Sequence, residues 1–249
     1  MAVTSGTASF PDGFIYPYHV WDFLRPTFYC PMDLERVGRP GDGGKWVCGM
    51  SRYQDMFPPL PSTADIQSDD SSFEAALLGR TNAEIWGWDF SVDGWAGEIH
   101  GDAEGRAHFE KTKLGPKTDR GAKPEVWTIA DLMARNGHDF VDVMKIDVEG
   151  EEWEALGAWM DSLPAGKGGE EVLPVGQMLI EFHLLDDGSP PTPRSLQELL
   201  KWWERLEGMG MRPVYNEHNW IGDVGRGRPR FIEYTLINVR HGSNRLLFD

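Results

Sequence analysis

Cysteine is scarce in this chain: Cys30 and Cys48 are the only two in 249 residues, enough for at most one bridge. That excludes a disulfide framework and favours a reducing, cytoplasmic compartment. Apolar runs are short, none reaching the roughly 18 residues a membrane-spanning helix needs. The segment Met1–Phe14 has neither a basic nor an apolar leader region, so no secretory signal is expected. Positive charge is in deficit: 24 Lys and Arg against 40 Asp and Glu leave a net charge of −16. A nucleic-acid backbone is therefore excluded as the default partner, and no membrane partner is expected. There is no internal repeat, no Walker spacing, no Ser nucleophile elbow and no zinc-type Cys/His cluster.

What remains is an ordinary globular composition, 40% hydrophobic and 26% charged, long enough for one sizeable α/β core. The acidity concentrates in residues 140–210, with 15 acids against 5 bases, and reads first as solubility. Eleven tryptophans are many for this length; most suit core packing, and one or two could stack on a flat ligand. Capping-box spacing in Ser71-Ser72-Phe73-Glu74 and from Ser195 to Glu198 predicts helix starts. Thr128 caps a helix that Asn136-Gly137 ends, and Glu151–Leu163 carries apolar residues at helical spacing. Strands are expected at Glu84–Phe90, Val141–Val148, Gln177–Leu185, Met211–Tyr215 and Phe231–Val239, with a weaker one at Arg106–Leu114. Met56–Gln67, with its three prolines, reads as a loop. Strands alternating with helices predict a mostly parallel sheet covered on both faces, and the last two strands an antiparallel edge.

Ligands of an open α/β sheet bind beyond the carboxyl ends of its strands. Asp89 closes one strand, where a carboxylate suits the two hydroxyls of a ribose, though an Asp there is also a common turn former. Lys145-Ile146-Asp147-Val148-Glu149 places Lys145, Asp147 and Glu149 on one face by the period of two. Glu181 and His183 share a face of the next strand. If the strands are neighbours, carboxylates and an imidazole meet at one rim, where they could bind a divalent metal or supply a base. The bland alternative is a salt-bridged strand end in which Lys145 neutralises Asp147 or Glu181. Asp42-Gly43-Gly44-Lys45 is a turn whose glycines let backbone approach a ligand, with Lys45 able to hold an anion.

These residues carry a resemblance. Lys145-Ile146-Asp147-Val148-Glu149-Gly150-Glu151-Glu152-Trp153 resembles the signature of FkbM-type and methyltransferase-like 24 proteins, a branch of the class I S-adenosylmethionine methyltransferases. Glu35-Arg36-Val37-Gly38, Asp42–Gly49, Ser71–Glu74, Trp86–Ser91, Ile180–His183 and Glu233-Tyr234 to Asn238 are similar to its fungal members in order and spacing. The resemblance spans Tyr18 to Arg240 and implies a seven-stranded Rossmann-like sheet whose last strand is antiparallel. It also implies S-adenosylmethionine as cofactor, with Asp89 on the ribose and the turn Ser68–Ser71, including Asp70, lining the cofactor. One domain is expected over 1–249, residues 1–60 being an extension packed on a core at 61–249.

One departure bears on activity. The family's first strand and its glycine turn should precede Ser71, yet no glycine occurs between Gly49 and Gly79 and no apolar strand is evident there. That segment reads as shortened by about a strand. The leading expectation is O-methylation of a small-molecule or sugar-like acceptor. His183 is then the base, because its ordinary pKa lies near neutrality, and Asp147, Glu149 and Glu181 orient it or hold a divalent cation. The competing readings are a binding protein that lost the cofactor turn, and a metal-dependent hydrolase built on the same four residues.

Overall fold

The computed structural model describes residues 17–41, 43–55, 61–65, 70–99, 105–164, 171–184, 190–219 and 231–248, and of residues 17–19 and 61–65 the backbone alone. The order is a 3-10 helix Pro17–Leu24, β1 Leu34–Val37, β2 Lys45–Cys48, α1 Met50–Asp55, β3 Pro61–Asp65, α2 Ser72–Arg80 and β4 Glu84–Trp88. There follow β5 Ala107–Glu110, β6 Lys113–Leu114, β7 Val126–Trp127, α3 Ile129–Asn136, β8 Val141–Ile146 and α4 Glu152–Ser162. The last elements are β9 Val175–His183, α5 Leu196–Gly208, β10 Met211–His218 and β11 Phe231–Asn238.

Seven of these strands form one sheet in the order β10-β11-β9-β8-β3-β4-β5. β8 pairs parallel with β9 on one side and with β3 on the other, and β3 and β4 continue the parallel run to β5. The final strand, β11, lies antiparallel between β9 and β10. This is the mostly parallel α/β sheet that the alternation of elements predicts, in the seven-stranded Rossmann-like form that the resemblance implies. The antiparallel strand, however, is inserted one place inside the edge.

The segment read as shortened is corrected here. Pro61–Asp65 is a strand at the centre of the sheet, with Ser62 aligned to Ile85 and Val143, and Ala64 to Gly87 and Lys145. The loop reading of Met56–Gln67 fails over those residues. A central strand is normally recognised by an apolar run, which Pro-Ser-Thr-Ala-Asp does not supply. The turn after it, residues 66–69, lies outside the described residues.

β8 and β9 are buried along their whole length. Their even-numbered residues Met144, Ile146, Met178, Ile180 and Phe182 join the core under α4 and α5. Val143 and Leu179 join the opposite core, with Phe73 and Leu77 of α2 and Val37 and Val47 of the β1–β2 hairpin. The hairpin thus covers one face of the sheet. Helix starts follow their caps at Thr128 and Ser195, whose hydroxyls accept from the Asp131 and Glu198 amides at 3.1 and 3.2 Å. At α2 the expected box does not form: the Ser71 hydroxyl accepts from the Ala96 amide at 2.9 Å instead.

Cys30 and Cys48, read from their scarcity as residues of a reducing compartment, are joined in a disulfide that ties the segment before β1 to the end of β2. Among the described residues no helix is long and apolar enough to cross a membrane.

Asp142 sits buried in β8, where burial pushes its carboxyl up to about 6, with Arg245 acting the other way. Its folded pKa lies above its unfolded one. Folding therefore carries no penalty while the group is protonated, and loses stability as pH rises from about 4 to 6. Asp142→Asn is expected to raise stability by about 1–3 kcal/mol at pH 7.5 and by nothing measurable at pH 4, read from Tm at the two values.

Candidate active site

The carboxyl ends of β3, β4, β8 and β9 point the same way, so the residues just past them share one edge of the sheet. Asp89 is the first residue beyond β4 and is buried. Its hydrogen bonds fall on Oδ1, which accepts from the Ser91 amide and hydroxyl, each at 2.6 Å. Asp89 is thus a turn former through one oxygen. Beside it Trp88 lines a small apolar cleft bounded by Ile129, Leu132 and Met133 of α3, Leu114 of β6, and Met144 and Ile146 of β8. Sequence reasoning missed this cleft because its walls come from four separate elements.

The other residues expected to line the cofactor have partners of their own. Asp70 accepts from the Ser72 amide at 2.7 Å at the start of α2, and burial, which would raise its carboxyl, is outweighed by that contact and by Arg39 and Lys145. Ser71 is turned toward Ala96, and Ser68 lies outside the described residues. The glycine turn before β2 packs on protein: a Cβ on Gly44 would meet the Arg39 carbonyl oxygen at 2.2 Å, and one on Gly43 the Asp70 carboxylate at 2.2 Å. Lys45 holds no anion site open. Its ammonium, nearly unexposed, sits 2.7 Å from Glu233 Oε1 and 3.5 Å from Asp147 Oδ2. Burial would lower its pKa, but Asp147, Glu233 and Glu181 raise it well above the ordinary value.

Past β8 and β9 the expected rim is present. His183 Nε2 lies 3.9 Å from Asp147 Oδ1, 4.0 Å from Glu181 Oε2 and 3.6 Å from Glu149 Oε2. Asp147, Glu181 and His183 are all buried, whereas the Glu149 side chain is 72% exposed. β8 ends at Ile146, so strand alternation no longer governs Glu149, which takes a left-handed φ of 52° ahead of Gly150 at 102°. Such a conformation is uncommon outside glycine. It folds the chain back so that Glu152 reaches under the rim. Glu152 Oε1 accepts from the His183 amide at 2.6 Å and lies 3.2 Å from Nδ1, while Oε2 accepts from Gly150 at 2.8 Å. The sequence reading gave Glu152 no part in the rim, because its contact with His183 spans 31 residues of chain. Asn219 donates to Glu181 Oε1 at 2.9 Å.

The reason given for His183 as a base is corrected. Burial alone would lower its pKa, but Glu152, Glu181 and Asp147 outweigh it and push the imidazole up to about 9. Burial, then Asp147, push Glu181 up to about 8. Lys145 is not the neutralising partner either. It turns to Glu74 of α2, Nζ to Oε1 3.0 Å, with both side chains essentially unexposed and Phe73 5.6 Å below the ammonium.

A family model described as a methyltransferase domain matches residues 15–206. The chain belongs to the methyltransferase-domain family. No curated protein matches it. Among solved structures, this methyltransferase-domain chain is similar at 12% identity to the fibrillarin pre-rRNA processing protein of Methanococcus jannaschii, covering 72% of this chain and 66% of that one, just under two thirds, with a TM-score of 0.38. It is similar at 11% identity to Aeropyrum pernix fibrillarin, solved with natively bound S-adenosyl-L-methionine, covering 86% of each chain with a TM-score of 0.34.

Glu74 has a second oxygen, Oε2, that is buried without a hydrogen-bond partner, so this pair is poorly compensated if broken. Lys145→Met alone is expected to cost about 3–5 kcal/mol, because it strands a buried carboxylate. Adding Glu74→Leu should restore most of that loss, read as the Tm of the double variant against each single one.

Proposed function

We propose that this chain transfers the methyl group of S-adenosylmethionine to an oxygen of a small, hydroxyl-bearing or sugar-like acceptor. We place it, within the methyltransferase-domain family, near the FkbM-type and methyltransferase-like 24 branch. One observation carries the reading: β3 stands between β4 and β8, so that Asp89 and the Asp147–Glu181–His183 rim lie at the same carboxyl edge. β3 is in place, so no strand is missing; the reading of a binding protein that lost the cofactor turn concerns residues 66–69, which lie outside the described residues.

The residues fit the cofactor. A carboxylate at Asp89 accepts from two ribose hydroxyls, and the apolar cleft beside Trp88 suits a flat purine. When bound, S-adenosylmethionine supplies an electrophilic methyl on a positively charged sulfur. The protein's part is alignment and exclusion of water. The rim of Asp147, Glu149, Glu181 and His183 receives the acceptor hydroxyl. The methyl would pass to that oxygen with its former bond pair left on sulfur, and the hydroxyl proton would pass to Asp147 Oδ1, the buried rim oxygen without a hydrogen-bond partner. His183, fixed through Nδ1 by Glu152, keeps the carboxylates in register. A net charge of −16 supports an acceptor that is not a nucleic acid. The Cys30–Cys48 bridge is of the kind that persists outside reducing compartments, so a cytoplasmic setting is not part of the proposal.

Asp89→Ala should weaken S-adenosylhomocysteine binding by about 1.5–3 kcal/mol, the worth of charge-assisted hydrogen bonds, measured by calorimetry. Unchanged affinity in a folded variant removes Asp89 from the site. His183→Ala should leave that affinity intact and lower turnover by about 10-fold or more through loosened Asp147 and Glu181 carboxylates, whereas a histidine that serves the fold alone would lower Tm and spare turnover.

A further inference from the structure

We infer that Asp147, Glu181 and His183 form a binding site for a divalent cation of mixed oxygen–imidazole preference, such as Mn2+, at the place where the acceptor hydroxyl docks. What the ion does there rests on the methyl-transfer reading; that it binds does not.

Each of the three residues offers one donor atom, and these atoms all lie within 4.8 Å of one another. Asp147 Oδ1 is buried, has no hydrogen-bond partner, and belongs to a side chain with no exposed surface. An ionised oxygen in that condition is costly unless a cation completes it. The three carboxyl and imidazole donors are also aimed by contacts on their far sides. Glu152 takes the Nδ1 side of His183, which turns Nε2 to the rim, and Asn219 takes Glu181 Oε1, which leaves Oε2 there. A carboxylate behind a histidine is how metal-ligating imidazoles are held.

The separations point the same way. His183 Nε2 stands 3.9 Å from Asp147 Oδ1 and 4.0 Å from Glu181 Oε2, too far for hydrogen bonds. Adjacent donors on an ion with bonds of about 2.1 Å stand roughly 3–3.5 Å apart, so shifts of about 0.5–1.5 Å seat one. A salt-bridged strand end would instead bring Nε2 into hydrogen-bond contact with one carboxylate.

Charge agrees with geometry. Lys45 is committed to Glu233 and to the opposite oxygen of Asp147. Asp147, Glu181 and Glu152 then crowd around a single imidazole, with Glu149 at the exposed margin, an excess of acceptor oxygens over donors that a cation offsets. One imidazole among carboxylates favours Mn2+ over Mg2+ or Ca2+, which prefer all-oxygen sites. Three protein donors leave open positions on the ion, where a bound acceptor hydroxyl becomes more acidic.

The full-length chain, stripped with chelator, is titrated with Mn2+ and free ion is followed by electron paramagnetic resonance. The expected result is one site per chain, with affinity lowered at least 10-fold in Asp147→Asn and in His183→Ala, and about 10-fold in Glu152→Gln. Should the substitutions unfold the chain, paramagnetic broadening of the His183 ring resonances in the unmodified protein gives the same answer. Absence of stoichiometric Mn2+ binding, or affinity unchanged in folded variants, overturns the inference. Mn2+ binding without S-adenosylhomocysteine binding supports the site and defeats the methyl-transfer reading. The converse defeats the site alone.

Discussion

The parallel ladder that holds β3 between β4 and β8 is the constraint on which the rest of the structure depends. A sheet interrupted at that point would separate Asp89 from Asp147 and leave them no common edge. Main-chain hydrogen bonding supplies the ladder without any help from an apolar side-chain run. Proline at the first position of the strand is tolerated there, and Thr63 suits an extended backbone. The strand is therefore defined by its neighbours. β4 and β8 each present a parallel edge, and leaving those edges unpaired inside the sheet would strand buried amides and carbonyls.

Burial of charge is the second organising fact. The face of the sheet covered by the β1–β2 hairpin and α2 holds two groups of ions that a purely structural sheet does not need. Lys145 and Glu74 pair under α2 through Glu74 Oε1, while Glu74 Oε2 stays buried without a hydrogen-bond partner. Lys45, Glu233, Asp147, Glu181, His183 and Glu152 are only partly compensated, and Asp147 Oδ1 is the visible deficit. The two groups differ in that one is closed and the other opens to the exposed Glu149. The hairpin contributes Lys45 to that second group. The β1–β2 hairpin thus both covers the sheet and supplies a cation to that group.

Much of this was legible in the sequence, for identifiable reasons. Val141–Val148 and Gln177–Leu185 read as buried strands, which the structure has at Val141–Ile146 and Val175–His183, and the period of two put Asp147 on one strand face and Glu181 with His183 on the next. Thr128 and Ser195 marked helix starts through caps that form as expected. What was hidden depends on partners far away in the chain. Lys45 and Asp147 are 102 residues apart, and nothing local links them. Lys145 was assigned to the rim because it shares parity with Asp147, but α2 offered it Glu74. His183 was read at its ordinary pKa because the Glu152 contact, made by a turn at a left-handed Glu149, is invisible to strand periodicity. β3 was missed because its residues carry no strand signal of their own.

The account stands most directly on where the cofactor product lies. A crystal structure of the full chain with S-adenosylhomocysteine should place the ligand across the carboxyl ends of β3 and β4. Its ribose hydroxyls should lie within hydrogen-bond distance of the Asp89 carboxylate, and its base in the cleft beside Trp88. A ligand bound elsewhere, or an Asp89 still engaged by Ser91 alone with the cleft filled by protein, would contradict it.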